Sequence, residues 1–315
     1  MARIAIVLAT YNGAQYLPQM LDSLLAQERP ADLIVAVDDG SKDNTPEILK
    51  SYQGRLPLQV TCLEKNSGHR AAFSKALELA QPQLADDDLI ALADQDDIWL
   101  SQKLEILSNE IEAKKKALVF GDAEVIDGEG AQIAGSWREF SKIEKHVSIE
   151  QQIAGINNVT GCVSLFRASL LKSILPIPEG VTVHDRWIAI LADKNEGTAA
   201  IDATVIRYRI HGQNAVGGVA EQSMRKTIEE RIRWIDTLLS HRERLKLTSQ
   251  EIQFADELRS LSSLRLQKSL VLSRLPWIAR HRNELFLKDS SLRTLKRILF
   301  SAVGLPLARK LFGKD

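Results

Sequence analysis

Residues 89–97 have the sequence Leu-Ile-Ala-Leu-Ala-Asp-Gln-Asp-Asp, in which five apolar residues are followed at once by three carboxylates within four positions. A continuous apolar run of this length predicts a β-strand that is covered on both faces, as in a parallel sheet. Carboxylates this close repel one another, and burying part of their charge is costly unless a cation compensates it. The stretch therefore predicts a buried strand that ends in a site for a hard divalent cation, Mg²⁺ or Mn²⁺.

Two simpler interpretations apply to the acidic segment 94–97. A solvated acidic turn stays open on the residues alone. An EF-hand calcium loop starting at Asp94 would put Ile98 and Trp99 at its fifth and sixth positions. Those positions need an oxygen ligand and a glycine, so the calcium interpretation fails.

The same pattern of apolar runs recurs over the first 121 residues, with starts 25 to 31 residues apart. The runs are Arg3–Ala9, Leu33–Val37, Leu58–Leu63, Leu89–Ala93 and Ala117–Gly121. Helix-period stretches at Ala14–Gln27 and Ser101–Lys115 lie between them, and Thr45 with Pro46 predicts the N-cap and first position of a helix through Tyr52. This alternation predicts an α/β fold with a mostly parallel sheet.

Polar residues follow each of the first four runs. They are Thr10, Tyr11 and Asn12, then Asp38 and Asp39, then Asn66 and Gly68, then Asp94, Asp96 and Asp97. Ligands of open α/β sheets bind beyond the carboxyl ends of the strands, so we expect these side chains to share one crevice. No dinucleotide or P-loop glycine pattern is present, so phosphates would be held by a metal and by backbone or basic groups. A turn and helix cap is the simpler interpretation of Asp38–Ser41.

The composition indicates a folded, soluble protein of about two domains, with 315 residues, 44% of them apolar and 26% charged. It excludes collagenous, disordered and disulfide-framework proteins. Cys62 and Cys162 are expected to be free thiols in a reducing compartment, which makes the cytoplasm the default location. The apolar run Ile4–Ala9 is too short for a signal peptide, and the late run Ile298–Ala308 is too short to span a bilayer.

A balanced total charge hides an uneven distribution along the chain. Residues 221–315 carry 20 Lys and Arg against 11 Asp and Glu, so the rest of the chain is acidic by the same margin. We expect a domain boundary near Gly217 and Gly218, giving domains 1–218 and 219–315. Long helical stretches follow, Glu221–Leu247 and Thr248–Leu275, with a break at Pro276.

The last part of the chain, Ser291–Phe312, alternates leucines with arginines and lysines. Such a segment predicts a helix that lies in a membrane interface, with its cations on anionic headgroups. Packing on the catalytic domain or on a second copy in a homo-oligomer remains open. Nucleic acid is disfavoured because no recognition motif accompanies the charge.

Taken together, these motifs resemble a known family. The matching segments are Ala9–Asn12, Val37–Asp43, Asn66 with Gly68, and Asp94–Trp99 with Lys103. In this order, each after its own predicted strand, they are similar to the motifs of family 2 glycosyltransferases of the GT-A fold, over about residues 3–217. Asn158–Cys162, His184–Trp187 and Tyr208–Asn214 resemble the bacterial rhamnosyltransferase-like branch of that family.

The resemblance implies transfer of a sugar from a nucleoside diphosphate to an acceptor hydroxyl, with inversion at the anomeric carbon. It implies Asp185 as the catalytic base, with Asp96 and His211 as metal ligands. The residues implied to bind the nucleotide sugar are Thr10, Tyr11, Asp39, Asn66, Gly68, Asp94 and Gln95. Those implied on the acceptor side are Asp97, Gly161, His184 and Trp187.

Structural roles compete with several of these assignments. Asp185 would otherwise be a helix N-cap, and His211 a structural histidine after a strand. Core packing is the simpler role for Trp99, Trp137 and Trp187, although Trp187 beside the base would offer a flat face to a sugar.

The resemblance favours a bacterial cell-surface glycan as the product, such as O-antigen, lipopolysaccharide core or another lipid-linked polysaccharide. L-rhamnose from a dTDP donor is the sugar that the branch suggests, transferred at the cytoplasmic face of the inner membrane. Two alternatives stay open. A sugar-phosphate nucleotidyltransferase would need a basic motif near the first turn, which Ala9–Tyr16 lacks, and a non-catalytic nucleotide-sugar scaffold would tolerate loss of Asp185.

Overall fold

The computed structural model describes residues 2–212, 223–287 and 291–312. The chain forms two compact units. The first comprises Met1–His146, Asn158–Ile177 and Val183–Gly218, and the second comprises Val147–Asn157, Pro178–Thr182 and Val219–Asp315. The boundary predicted at Gly217 and Gly218 lies outside the described residues, as do Gln213 and Asn214.

One mixed sheet organises the first unit. Its strands are β1 (Ile4–Thr10), β2 (Leu33–Asp38), β3 (Leu58–Cys62), β4 (Leu89–Ala93), β5 (Ile98–Trp99), β6 (Leu118–Ile126), β7 (Gln132–Ala134), β8 (Ser164–Arg167) and β9 (Thr198–Arg209). Their order is β3-β2-β1-β4-β8-β6-β9-β5, and β7 pairs with β6.

The prediction of a parallel sheet applies to one half of it. Strands β3, β2, β1 and β4 run parallel, and β6 runs parallel to β9. The remaining pairs are antiparallel, because β8 enters between β4 and β6 in the opposite direction and β7 returns along β6. All residues of β1, β2 and β4 are buried, which accounts for their continuous apolar sequences.

The helices of the chain are numbered in order. They are α1 (Leu17–Leu25), α2 (Thr45–Tyr52), α3 (His69–Ala80), α4 (Lys103–Lys114), α5 (Trp137–Phe140), α6 (Ile149–Ile153), α7 (Leu171–Ile174), α8 (His184–Asp193), α9 (Met224–Ser240), α10 (Ser249–Gln267), α11 (Leu275–Arg280), α12 (Arg282–Leu285), α13 (Ser291–Ser301) and α14 (Leu305–Phe312).

Two expected helix boundaries are wrong. The N-cap of α2 is Asn44 rather than Thr45, because the Thr45 hydroxyl instead accepts a hydrogen bond from the Gly13 N–H at 2.8 Å. Pro276 does not break a helix but lies in the first turn of α11, where its missing N–H costs nothing. The preceding helix α10 has already ended at Gln267.

The register of the parallel strands brings their carboxyl ends to one edge of the sheet. Thr10 of β1 pairs with Asp38 of β2, and Leu8 pairs with Ala93, the last residue of β4. The polar segments that follow β1, β2 and β4 therefore start side by side at this edge.

The second unit is helical. Helix α9 packs on α10, and the indole N–H of Trp234 donates to the Gln152 carbonyl at 3.0 Å, which ties α9 to α6. Ser148 and Thr248 form capping boxes at the starts of α6 and α10. Within the described ranges, no helix has the length and apolar character that crossing a bilayer requires.

Candidate active site

At the carboxyl edge of the sheet, the turn after β2 is held by its own carboxylates. Asp38 accepts hydrogen bonds from the hydroxyls of Thr10 (2.9 Å) and Ser41 (2.5 Å). Asp39 accepts from the backbone N–H groups of Ser67 (2.7 Å) and Gly68 (2.8 Å). Asp39 therefore fixes the loop that follows β3, a role that the sequence did not predict.

The segments after β1 and β4 are joined by a reciprocal pair of hydrogen bonds. The Tyr11 N–H donates to Gln95 Oε1 at 2.8 Å, and Gln95 Nε2 donates to the Tyr11 carbonyl at 3.0 Å. A Cβ atom at Gly13 would lie only 2.2 Å from Gln95 Oε1, so this close approach requires glycine. The Tyr11 side chain is 43% exposed and stands at the open side of the turn.

The three carboxylates after β4 have different partners. Asp94 lies 3.5 Å from the His69 imidazole, and Asp96 lies 2.8 Å from that of His211. Asp97 is buried and accepts from the Arg209 N–H at 3.0 Å. The solvated-turn interpretation is therefore wrong, because each carboxylate is at least partly enclosed and has a partner.

The surroundings of these three carboxyl groups shift their pKa values in opposite directions. Burial opposes ionisation of Asp94, but the hydrogen bond and charge of His69 outweigh it and lower the pKa of Asp94. Burial and the charge of Asp94 raise the pKa of Asp96. Burial, with the charges of Asp96 and Asp94, raises the pKa of Asp97 well above its ordinary value. The ionised forms of Asp96 and Asp97 are therefore disfavoured unless a cation stabilises them.

His69, the first residue of α3, lies among the acidic groups of the site. Burial opposes its protonation, but the hydrogen bond to Asp94 and the charges of Asp94, Asp185 and Asp96 raise its pKa. His69 was not among the predicted site residues, although its position directly after the Asn66–Gly68 motif was a usable signal.

A second missed residue is Arg209, the last residue of β9, which is 2% exposed. Its guanidinium donates to the carbonyls of Asp96 (2.9 Å), Asp127 and Gly128 (both 3.1 Å), and to Gln19 Oε1 at 2.8 Å. Arg209 therefore fixes the backbone of the acidic segment. Its position at the end of a strand, two residues before the predicted metal ligand His211, was the available signal.

Lys103 of α4 is also buried. Its ammonium donates to the Cys162 carbonyl at 2.6 Å and lies 3.1 Å from the centre of the Trp99 ring. Burial lowers the pKa of Lys103 to about 7.

Asp94, Asp97 and Cys162 offer three possible metal-ligand atoms that lie within 4.8 Å of one another.

Asp185 lies in the first turn of α8, whose N-cap is Val183, so it is not the cap residue. The Gly161 N–H donates to Asp185 Oδ2 at 3.3 Å. Burial raises the pKa of Asp185 to about 6, against the opposing charges of His69 and Arg186. A carboxylate of this kind is ionised at neutral pH and is a stronger base than an exposed one.

Two residues assigned to the acceptor side are enclosed instead. Trp187 is fully buried and its indole N–H donates to the Ile174 carbonyl at 3.0 Å, so it offers no face to a sugar. His184 is 3% exposed, and its ring stacks on Phe73 with centroids 3.9 Å apart. Burial and the charge of His69 lower the pKa of His184 to about 3, so it is neutral.

Of the remaining assigned positions, Asn66 is exposed in the loop after β3. Asp97 fixes the acidic loop, and Gly161 approaches His184 so closely that a Cβ would lie 3.1 Å from its Nε2 atom. Trp99 is 3% exposed, which confirms its place in the core.

The parallel half-sheet with an acidic carboxyl edge has the architecture of the GT-A fold. The sequence profile of "Glycosyl transferase family 2" matches residues 5–175, more than half of the chain. The chain belongs to this family, as the sequence motifs predicted.

An uncharacterized glycosyltransferase of Nostoc sp. is 25% identical over 223 residues, which are 67% of this chain and 66% of that protein. The chain spans 39% of the length of another relative, the putative teichuronic acid biosynthesis glycosyltransferase TuaG of Bacillus subtilis, to which it is 36% identical over 103 residues. The chain thus covers less than two thirds of either relative.

Solved structures share the fold. Residues 1–349 of Staphylococcus aureus TarS in complex with UDP-GlcNAc match with a TM-score of 0.60 and 18% identity, over 95% of this chain and 81% of that one. A mannosyltransferase of Pyrobaculum calidifontis, in complex with GDP-Man and Mn²⁺, matches with a TM-score of 0.51 and 16% identity, over 99% and 88% of the two chains. These matches confirm the predicted fold class.

Proposed function

We propose that this glycosyltransferase transfers a sugar from a nucleoside diphosphate donor to a glycan hydroxyl with inversion, using Asp185 as the base. The observation that carries the proposal is that three acidic residues of the proposed site interact with His69. Its imidazole is 3.5 Å from Asp94, and the charges of Asp94, Asp185 and Asp96 all raise its pKa. The preceding residue, Gly68, donates its N–H to Asp39. The proposed nucleotide, diphosphate and base residues thus surround one position.

In the proposed reaction, Asp185 accepts the proton of the acceptor hydroxyl. The acceptor oxygen forms a bond to the anomeric carbon while the bond from that carbon to the diphosphate oxygen breaks on the opposite face. The Gly161 N–H donates to Asp185 Oδ2 at 3.3 Å and so helps to hold the carboxylate in place. General-base catalysis of this kind contributes roughly 10²- to 10⁴-fold in rate.

The residues present fit a divalent cation. Asp96 Oδ2 and His211 Nε2 lie 2.8 Å apart and both side chains are mostly buried. Burial and the charge of Asp94 raise the pKa of Asp96, so a bound cation would stabilise its ionised form. Asp96 and His211 would hold the ion, with Asp94 next to it, and carboxylate with imidazole suits Mn²⁺ or Mg²⁺. When bound, such an ion stabilises the departing diphosphate.

The donor is proposed to be dTDP-L-rhamnose, on the resemblance of residues 184–187 and 208–212 to the rhamnosyltransferase-like branch. UDP-GlcNAc, which is bound in the TarS complex, is the competing donor. Asp39 and Thr10 are the residues proposed to face the nucleobase. The acceptor is proposed to be a lipid-linked polysaccharide, since the TuaG relative is named for teichuronic acid biosynthesis.

The donor test measures thermal stabilisation of the full chain by dTDP-rhamnose, UDP-GlcNAc and GDP-mannose, each with Mn²⁺. We expect one of the first two to raise the melting temperature and to be hydrolysed slowly to its nucleoside diphosphate. Stabilisation by none of them would contradict a sugar-nucleotide donor. Pyrophosphate released from a nucleoside triphosphate and a sugar 1-phosphate would instead indicate a nucleotidyltransferase.

We propose that the α13 surface binds the cytoplasmic face of the inner membrane. Leucines at 292, 295 and 299 are 52–63% exposed, and the helix also carries Arg293, Lys296 and Arg297. Exposed leucines beside cations are typical of a helix that lies in an anionic membrane interface.

The membrane test is flotation of the full chain with vesicles that contain phosphatidylglycerol. The double variant Leu295→Glu/Leu299→Glu is expected to stay with the soluble fraction, while the control Ile133→Glu, at another exposed apolar residue, floats like the wild type. Equal flotation of all three proteins would contradict the proposal. A wild-type dimer that becomes monomeric in the double variant would point to a second copy as the occupant.

A further inference from the structure

A partly exposed cluster of aromatic side chains lies beside the proposed base and has no role in the proposed proton transfer. Trp137 and Phe140 of α5 lie with their ring centroids 6.1 Å apart, and Trp137 packs against Tyr208 of β9 at 4.6 Å. Phe140 is 52% exposed, and Trp137 and Tyr208 are partly exposed. These three side chains are called the aromatic platform below.

Two contacts connect the platform to the reacting groups. The Trp137 indole N–H donates to the Thr160 hydroxyl at 3.1 Å, and the next residue, Gly161, donates its N–H to Asp185. On the other side, the pairing of Ile98 with Arg207 places Tyr208 next to Asp97 in register. Burial, followed by the charges of Cys162, Asp97 and Asp94, raises the pKa of the Tyr208 phenol, which agrees with that position.

Buried contacts hold the platform in place although its rings are partly exposed. Arg138, between the two aromatic residues of α5, is buried and donates to the carbonyls of Gly121 and Ile201 at 3.0 and 3.1 Å. Asp122 accepts from the Arg138 N–H at 3.0 Å and from the hydroxyl of Ser136, the N-cap of α5. Arg138 and Asp122 thus anchor the short helix α5, while the Phe140 ring of the same helix stays outside the core.

We propose that the aromatic platform is the subsite that binds the acceptor sugar, with one C–H face of a pyranose ring packed on Trp137 and Phe140. The inference rests on the proposed function, because Asp185 must face the acceptor hydroxyl. A pyranose suits the surface since one side of the ring is apolar and its edge is hydroxylated. Flat aromatic side chains give such a ring a large contact area at little entropic cost.

The test uses methyl α-L-rhamnoside, methyl β-D-glucoside and methyl N-acetyl-β-D-glucosaminide as probes. Saturation-transfer NMR on the full-length wild type with UDP and Mg²⁺ is expected to show binding of at least one probe through its C–H protons. Trp137→Ala and Phe140→Ala should weaken that binding roughly three- to tenfold, the range of a lost aromatic contact. Ile133→Ala, a control at an apolar residue that is 49% exposed on β7, should not.

Phe140→Ala keeps the test valid if the Trp137 variant fails to fold, because the Phe140 ring is mostly in solvent. Absence of binding of all three probes to the wild type would overturn the inference, as would equal binding by both platform variants or an equal loss in Ile133→Ala. Probe binding needs no turnover. A failure of the proposed function would appear separately, as absence of donor stabilisation and hydrolysis.

Discussion

Asp185→Asn is expected to abolish transfer and, at neutral pH, to stabilise the fold. Burial raises the pKa of Asp185 from its ordinary value of 3.8 to about 6. The folded state therefore binds the carboxyl proton of Asp185 more tightly than the unfolded state does. Ionisation of Asp185 lowers the free energy of unfolding as the pH rises, and this loss reaches its full size only above about pH 6. The difference corresponds to at most about 3 kcal/mol, and because the residue is partly exposed we expect about 2 kcal/mol.

Asparagine keeps the shape and an oxygen for the Gly161 N–H but has no charge to bury. At pH 8 the variant should be about 2 kcal/mol more stable than the wild type in urea unfolding with EDTA present, and at pH 5 the gain should fall to about half of that. Transfer should drop roughly 10²- to 10⁴-fold. Asp87→Asn, at an exposed carboxylate before β4, is the matched control and should change stability by less than about 0.5 kcal/mol at either pH.

A variant that is no more stable than the wild type at pH 8, or whose gain is the same at both pH values, would refute this reasoning. Retained transfer would remove Asp185 as the base whatever the stability result.

Three further outcomes are expected. Chelation with EDTA should abolish transfer and the stabilisation by a nucleotide sugar, with both restored by Mn²⁺ or Mg²⁺; donor binding and turnover that persist in EDTA would contradict the metal role. Gly304→Ala should destabilise the second unit by about 1–3 kcal/mol in thermal unfolding, because its Cβ would lie 1.7 Å from the Lys268 carbonyl oxygen, whereas Gly54→Ala, with nothing within 4 Å, should not. Burial lowers the pKa of Lys103 to about 7, so above that pH the unfolded state binds this proton more tightly than the folded state. The wild type should therefore gain stability from pH 7 to 9, and Lys103→Met should lose part of this gain. Identical pH dependence of stability in the two proteins would contradict the prediction.

The sequence predicted the half of the site that depends on strand ends. A parallel sheet aligns the carboxyl ends of its strands, so the residues that directly follow them can be grouped from the sequence. Thr10, Asp39 and Asp94–Asp97 were grouped in this way, and the structure places them at this edge of the sheet. The order of the antiparallel strands β8, β6, β9 and β5 was not predicted, because no local pattern specifies which strand enters between β4 and β6.

The buried cations were harder to predict, because a charged residue becomes buried only through contacts that are distant in sequence. Lys103 lies over Trp99 and reaches a carbonyl 59 residues away, and Arg209 reaches a side chain 190 residues away. The assignment of Trp187 to the acceptor side could have been avoided. Trp187 begins the apolar helix segment 187–191, and its spacing from Ile190 and Leu191 predicts that it lies on the buried face.

The partners of the three carboxylates also distinguish their roles. His69 lowers the pKa of Asp94, so that carboxylate is already compensated within the protein. Asp97 is buried and is held by the Arg209 N–H, which suits a structural role. Asp96 has a raised pKa although it contacts His211, whose imidazole carries a full charge only when protonated. A divalent cation would therefore gain most from Asp96, which favours this carboxylate over Asp94 as the metal ligand.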